Sequence, residues 1–126
     1  MHDDLPPPAE HPDPGPRDDP FLELLFAAMC RNLFVLPGET FVDQARRWTD
    51  ALNFTADLKP RDQQEWLRAA DVTMKQFSAI YSLVMRKRRG ISQKQRMKHG
   101  QDFLAHAKAM QDARLRYELL RNTPTA

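Results

Sequence analysis

Four stretches of the chain carry apolar residues at the three- and four-residue spacing of amphipathic helices. The first is apolar on most of its sides, and we predict a helix over residues 20–34. Asp19 suits its N-cap and Pro20 its first helical position. A helix without a polar face is usually central in a bundle or covered by a partner chain. Pro37 and Gly38 then interrupt the pattern.

The second helix is predicted to begin at Thr40, because Thr40 and Asp43 have the spacing of a capping box. Its apolar face recurs at intervals of four, three and four residues, in Phe41, Ala45, Trp48 and Leu52. Residues 53–59 are predicted to connect this helix to the next.

The third helix is predicted over residues 60–89, a length of about 45 Å. Pro60 suits its first turn, and Gly90 suits the left-handed position that follows a helix. A four–three alternation gives one stripe, formed by Trp66, Ala70, Thr73, Phe77, Ile80 and Val84. A second row lies beside it, in Leu67, Met74 and Tyr81. A stripe of this width is typical of a helix that packs against two neighbours.

A second capping box, Ser92 with Gln95, starts a fourth helix that should end near Asn122. Gly100 weakens its beginning by about 1 kcal/mol relative to alanine. Its apolar stripe comprises Phe103, Ala107, Met110, Ala113, Tyr117 and Leu120. We therefore predict an all-α protein, a small four-helix bundle. Helices three and four form a long antiparallel hairpin, and the two shorter helices complete the bundle.

The segment before the first helix has a different composition. Residues 1–20 contain seven of the ten prolines and six acidic residues, and Leu5 is their only strongly apolar residue. Such a segment cannot bury enough apolar area to offset its ordering entropy, so residues 1–19 are predicted to be a disordered arm. A solvating tail is the first interpretation; a ligand for an aromatic groove and a fold-back onto basic residues are alternatives. The helical domain is predicted over residues 20–122, followed by a short tail, 123–126.

Overall composition is that of an ordinary globular chain, with 41% hydrophobic and 29% charged residues. A single cysteine, Cys30, excludes a disulfide scaffold, and we expect it to be a reduced, buried thiol. The sequence has neither an apolar run long enough to span a membrane nor a signal-peptide pattern, so a cytoplasmic location without membrane association is expected.

Candidate catalytic chemistry is sparse. His99 and His106 could share a helix face, but they would lie about 10 Å apart along the axis, too far to hold one ion. The chain has neither a nucleophile turn around a serine nor a glycine-rich phosphate loop. We therefore expect no metal, no cofactor, no small-molecule substrate and no enzymatic activity.

Charge is distributed unevenly along the chain, although the net charge is only +2. Residues 1–71 carry 14 acidic and 7 basic residues, whereas residues 72–126 carry 3 acidic and 12 basic residues. Seven of the basic residues form what we call the basic segment, Arg86, Lys87, Arg88, Arg89, Lys94, Arg96 and Lys98. Favourable contacts with the negative end of the third helix explain about two of them. The basic segment is therefore the predicted contact for a polyanion or a protein partner.

Two functional interpretations follow. The first is a non-catalytic helical interaction or regulatory protein that self-associates or binds a protein partner, as the excess of apolar residues on the first helix suggests. The second is a nucleic-acid-binding protein that uses the basic segment on phosphates, without base readout. Interleaved aromatic residues for stacking on single strands are absent there, which favours the duplex backbone.

Overall fold

A computed structural model describes residues 19–123, which form four helices. They are α1 (Pro20–Asn32), α2 (Phe41–Asp57), α3 (Gln63–Arg86) and α4 (Gln93–Asn122). This stretch contains no strand, and the predicted all-α four-helix fold is confirmed. The predicted arm, except for Asp19, and the end of the tail lie outside the described residues.

The predicted helix starts of α1, α2 and α4 are confirmed by their caps. A carboxylate oxygen of Asp19 accepts the Phe21 N–H at 2.9 Å. Thr40 with Asp43 and Ser92 with Gln95 both form complete capping boxes. These signals are local, since a cap satisfies backbone N–H groups that the first helical turn leaves free.

The predicted boundaries on the two sides of the α2–α3 connection were wrong. α2 continues to Asp57, because its last turns bury Thr55 and hold Phe54 edge-on to Phe77 of α3, with ring centroids 6.2 Å apart. α3 begins after Asp62, which caps it by accepting the Glu65 N–H at 2.8 Å, so Pro60 precedes the helix. Its 24 residues span about 36 Å.

The first helix also ends earlier than predicted, at Asn32, and α3 ends at Arg86. Gly90 has a φ of +82°, the left-handed conformation that its position after α3 predicted. Together with the capping box of α4, this glycine allows the chain to reverse direction within six residues. α3 and α4 consequently form the predicted long antiparallel hairpin.

α3 is the central helix, because it contacts each of the other three and packs most extensively against α4. Towards α4 it presents small side chains. Ala69 and Val72 of α3 form a buried cluster with Ala113 and Tyr117 of α4. The predicted α4 stripe therefore faces the core, whereas the small-residue face of α3 was not predicted.

The predicted stripe of α3 lies roughly 100° around the helix from that face and contacts α1 and α2. Trp66 packs edge-on against Phe26 of α1, with ring centroids 5.7 Å apart. The buried hydroxyls of Thr73 and Thr55 lie 2.5 Å apart and join α3 to α2. The end of the stripe is left open to solvent, and this opening forms part of a surface described below.

The apolar faces predicted for α1 and α2 are buried only in part. On α1, Leu22 and Met29 are buried, whereas Leu24 is exposed. On α2, Phe41 is exposed and packs edge-on against Trp48 of its own helix, and Ala45 and Leu52 are half-buried. The buried residues of α2, Ala51 and Thr55, were not part of the predicted face. None of the four helices is long and apolar enough to cross a membrane.

Candidate interaction surfaces

The basic segment occupies one end of the α3–α4 hairpin, and all its side chains except that of Arg96 are exposed. Arg96 has a structural role, since its guanidinium donates to the Arg86 carbonyl at 2.5 Å and thereby caps the end of α3. Lys98 pairs with Asp102, with 3.3 Å between Nζ and Oδ2. These two residues of the predicted contact are thus already engaged within α3 and α4.

The other five cations form a surface that we call the basic turn: Arg86, Lys87, Arg88, Arg89 and Lys94. Among the described residues, no carboxylate lies within 4 Å of any of them, whereas Arg47, Arg61 and Lys75 elsewhere each have one. Lys94 adds a positive charge to the first turn of α4, where the helix dipole is already positive. The basic turn therefore carries positive charge without compensation from residues 19–123.

A second surface is an apolar groove of about 550 Å³ between the segment after α1, the polar side of α2 and the second half of α3. We call it the docking groove. Its apolar lining comprises Leu33, Phe34, Leu36, Phe77, Ile80, Tyr81 and Val84. Its polar rim comprises Glu39, Asp43, Arg46, Arg47 and Asp50. The groove lies on the α3 stripe that the sequence placed in the core.

Hydrogen bonds hold the wall of the docking groove in place. Arg47 donates to the Phe34 carbonyl at 2.9 Å and to Glu39 at 2.7 Å, and Glu39 also accepts the Leu36 N–H at 2.7 Å. The Phe34 ring stacks on Tyr81, with centroids 4.3 Å apart. These contacts tie the segment after α1 to α2 and α3, so the wall of the groove is held by other residues of the same chain.

The sequence offered only a weak signal for this groove. The residues that shape its rim recur on one face of α2, which indicates a solvated polar face. The spacing of these α2 residues does not indicate that their face borders an apolar floor on α3. Ile80 and Val84 continue the core stripe by spacing alone, yet they are 44% and 39% exposed. Only the relative positions of α2 and α3 reveal that nothing within residues 19–123 covers them.

A polar cluster joins the end of α2, the start of α3 and the end of α4. Glu65 is buried, and it accepts three bonds from the Arg61 guanidinium at 2.6–3.1 Å. The Arg121 guanidinium also lies 3.6 Å from Glu65, and it donates to the Leu58 carbonyl. Hydrogen bonding to Arg61 lowers the pKa of Glu65, whereas burial raises the pKa of the Tyr117 hydroxyl, which also donates to Leu58. The sequence did not predict this cluster, whose members come from separate parts of the chain.

The residues of this cluster hold the helices together. The other titratable side chains among the described residues are not grouped into a site. Within residues 19–123, no three of the His, Cys, Asp and Glu side chains are placed to hold a metal ion. The Cys30 thiol is half-buried, and burial raises its pKa, which reduces its thiolate fraction. The described residues therefore offer two surfaces, the basic turn and the docking groove, as candidates for function.

Comparisons with known proteins leave the chain without an assigned family. No protein-family model matches it, and neither the curated proteins nor the solved structures gave a match. Function is therefore inferred from the two surfaces.

Proposed function

We propose that this protein is a non-catalytic helical interaction protein whose docking groove binds an amphipathic helix of a protein partner. The observation that carries the proposal is the preformed apolar floor, on which Phe34, Ile80 and Val84 are all more than one-third exposed. Contiguous apolar surface of this kind commonly marks a site of protein association.

The dimensions of the floor favour a helix as the ligand. From Phe77 to Val84 it covers two turns of α3, about 10 Å along the axis. This length matches the spacing of two or three large apolar side chains at positions i, i+4 and i+7 of a partner helix. The volume of about 550 Å³ accommodates such side chains.

The rim of the groove adds charge selectivity. Asp43, Arg46 and Asp50 recur at three- and four-residue intervals along α2, so the sign of the charge alternates along the groove. Arg47 is already held by Glu39 and is not available to a partner. A partner helix with a basic, an acidic and a basic residue beside its apolar face complements this rim.

The test uses a displayed library of twelve-residue amphipathic peptides and the full chain. Selected peptides are expected to bind with micromolar Kd, and Ile80→Glu should weaken them at least about tenfold because it places a charge on the floor. Leu67→Glu is the matched control, since Leu67 is an exposed residue of the same helix outside the groove. A selection without binders, or with binders that Ile80→Glu leaves unchanged, would refute docking in the groove.

A second function, binding of duplex nucleic acid through its phosphates, is favoured by the basic turn. Five exposed cations without a carboxylate partner among residues 19–123 lie around one hairpin end. Each phosphate contact releases condensed counterions, so binding should weaken steeply with salt. Backbone contacts of this kind position a protein on nucleic acid without reading sequence.

The corresponding measurement compares a labelled duplex with a single strand of equal length at about 50 and about 200 mM salt. Micromolar binding that falls steeply over this range is expected for the duplex. The triple variant Lys87→Glu, Arg88→Glu, Arg89→Glu should abolish it. Arg31→Glu, Arg68→Glu, Arg116→Glu is the control, because it changes net charge equally at exposed arginines elsewhere. Equal loss in both variants would show that net charge, and not the basic turn, drives binding.

A further inference from the structure

α4 carries a second apolar row that points away from α3. It comprises Met97, Leu104, Leu115 and Leu119, each 58–68% exposed. At about 100° per residue, the four side chains fall within an arc of about 60° and extend about 33 Å along the helix. We call them the outer row. The buried residues Ala113 and Tyr117 lie on roughly the opposite side of α4.

Nothing among the described residues covers the outer row. The extensive helix contacts of α4 are with α3 alone, so one side of α4 is open to solvent along most of its length. Single exposed leucines are ordinary in soluble proteins. Four large apolar side chains aligned on one helix face are the pattern of a helix–helix contact.

The charges beside the outer row indicate which helix would cover it. Lys108 and Asp112 lie next to the middle of the row, and neither has an ion-pair partner within 4 Å among residues 19–123. Two other opposite charges spaced by four on α4, Lys98 with Asp102 and Arg114 with Glu118, do pair. The middle of the row thus presents one free charge of each sign.

We propose that the outer row pairs two copies of this chain through an antiparallel contact between their α4 helices. With the two-fold axis near residues 109 and 110, Leu104 of each copy meets Leu115 of the other. The same register places Lys108 of each copy beside Asp112 of the other, so the dimer contains two Lys108–Asp112 ion pairs. A parallel arrangement would instead oppose like charges, which is unfavourable.

The length of the contact also suits a second copy. In this register the two outer rows overlap over about 29 Å, and with the flanking α3 helices they form a four-helix arrangement of two hairpins. Because Gln101, Lys108 and Gln111 interrupt the apolar row, the interface is at the small end of stable interfaces, and micromolar dissociation is expected. The docking groove lies on a different side of α3 and remains open in this dimer, so the inference is independent of the proposed function.

Sedimentation velocity of the full chain, from about 1 to about 200 µM, tests the dimer. The mass is expected to rise from monomer to dimer over this range. Leu104→Glu with Leu115→Glu should weaken dimerisation, with a Kd raised at least about tenfold. Leu24→Glu with Leu67→Glu is the control, because these leucines are similarly exposed on α1 and α3. Far-ultraviolet circular dichroism confirms that each variant is folded.

Charge exchange tests the antiparallel register. Lys108→Asp and Asp112→Lys should each weaken the dimer severalfold, and the two changes together should restore it, because opposite charges again meet across the two-fold axis. A monomer at every concentration, or a dimer that Leu104→Glu with Leu115→Glu leaves intact, overturns the proposal. A double exchange that fails to restore the dimer overturns the antiparallel register.

Discussion

At the scale of single residues, Glu65 shows how one carboxylate holds three helix ends together. It accepts hydrogen bonds from Arg61, including the backbone N–H at 2.8 Å, and lies close to Arg121 of α4. The Arg61 guanidinium in turn donates to the Arg121 carbonyl at 2.9 Å. Removing the carboxylate leaves two guanidinium groups without their counter-charge at a helix junction.

We therefore expect Glu65→Gln to lower the urea midpoint of unfolding more than any exposed carboxylate change does. The matched control is Glu118→Gln, because Glu118 is exposed and pairs only loosely with Arg114, at 3.9 Å. An exposed pair of this kind contributes little to stability. Equal midpoints for the two variants would contradict a structural role for the Glu65 cluster.

The same residue predicts a pH dependence. Since folding lowers the pKa of Glu65, its contribution is full above the pKa of the unfolded chain, about 4.3, and is lost as pH falls through the folded value. The difference in urea midpoint between wild type and Glu65→Gln should consequently shrink as pH falls from 7 to about 3. A difference that stays constant over this range would show that the ionised carboxylate does not stabilise the fold.

At the scale of helices, Gly100 and Gly90 should respond to alanine in opposite directions. Gly100 lies inside α4, where an added Cβ would meet the Arg86 side chain at 3.7 Å, an ordinary contact distance. Gly90 has free space around it but a φ of +82°. Alanine is therefore expected to suit the first position and not the second.

Gly100→Ala should stabilise the protein by about 0.5–1 kcal/mol, because alanine restricts the unfolded chain and favours helix. Gly90→Ala should destabilise it by about 1–2 kcal/mol, because alanine resists the left-handed conformation. Urea unfolding of the two variants measures both values. A Gly90→Ala variant as stable as wild type would show that the backbone conformation at Gly90 is not what requires glycine, and a destabilised Gly100→Ala would contradict the helix-propensity argument.

How far the sequence predicted these helices depends on the range of the interactions involved. Caps such as Thr40 with Asp43 act within one turn, so they were predicted correctly. The end of α2 was not, because Thr55 extends the helix by meeting Thr73 of α3, a contact eighteen residues away in the chain. Helical periodicity shows which residues share a face, but it does not show which neighbour that face meets.

The same reasoning applies to the candidate surfaces. The basic turn was predictable, since Gly90 and the Ser92 capping box mark a helix end and a helix start within the run of cations. The docking groove was not, because Ile80 and Val84 carry the periodicity of buried residues and only tertiary packing exposes them. The outer row of α4 was not predicted either, because its spacing is irregular. Its members are separated by seven, eleven and four residues, with polar residues between them.

At the scale of the whole molecule, the repulsion among the cations of the basic turn lowers the stability of the fold, while the same cations would favour the proposed duplex binding. Lys94 lies in the first turn of α4, beside four other cations and the positive end of the helix dipole. We expect Lys94→Glu to stabilise the fold by about 0.3–1 kcal/mol at low salt, and the gain should fade as salt screens the charges.

The same substitution should weaken duplex binding, if the basic turn contacts phosphate. Thermal unfolding and duplex titration of the Lys94→Glu variant, each at two salt concentrations, measure the two effects together. Arg116→Glu serves as the control, because Arg116 is an exposed cation of the same helix, far from the basic turn and outside the outer row. A variant that binds the duplex as wild type does would remove Lys94 from the contact.

The central position of α3 also determines the order in which the chain can assemble. α3 and α4 are separated by only six residues, so their contact closes a short loop at little entropic cost. α1, by contrast, meets α3 across a longer connection that includes all of α2. Substitutions in the α3–α4 interface, such as Ala113→Gly, should therefore slow folding, whereas Leu22→Ala in α1 should mainly speed unfolding. Nascent chains would then expose the apolar α1 until α3 has been synthesised, which makes this interval the one most open to aggregation.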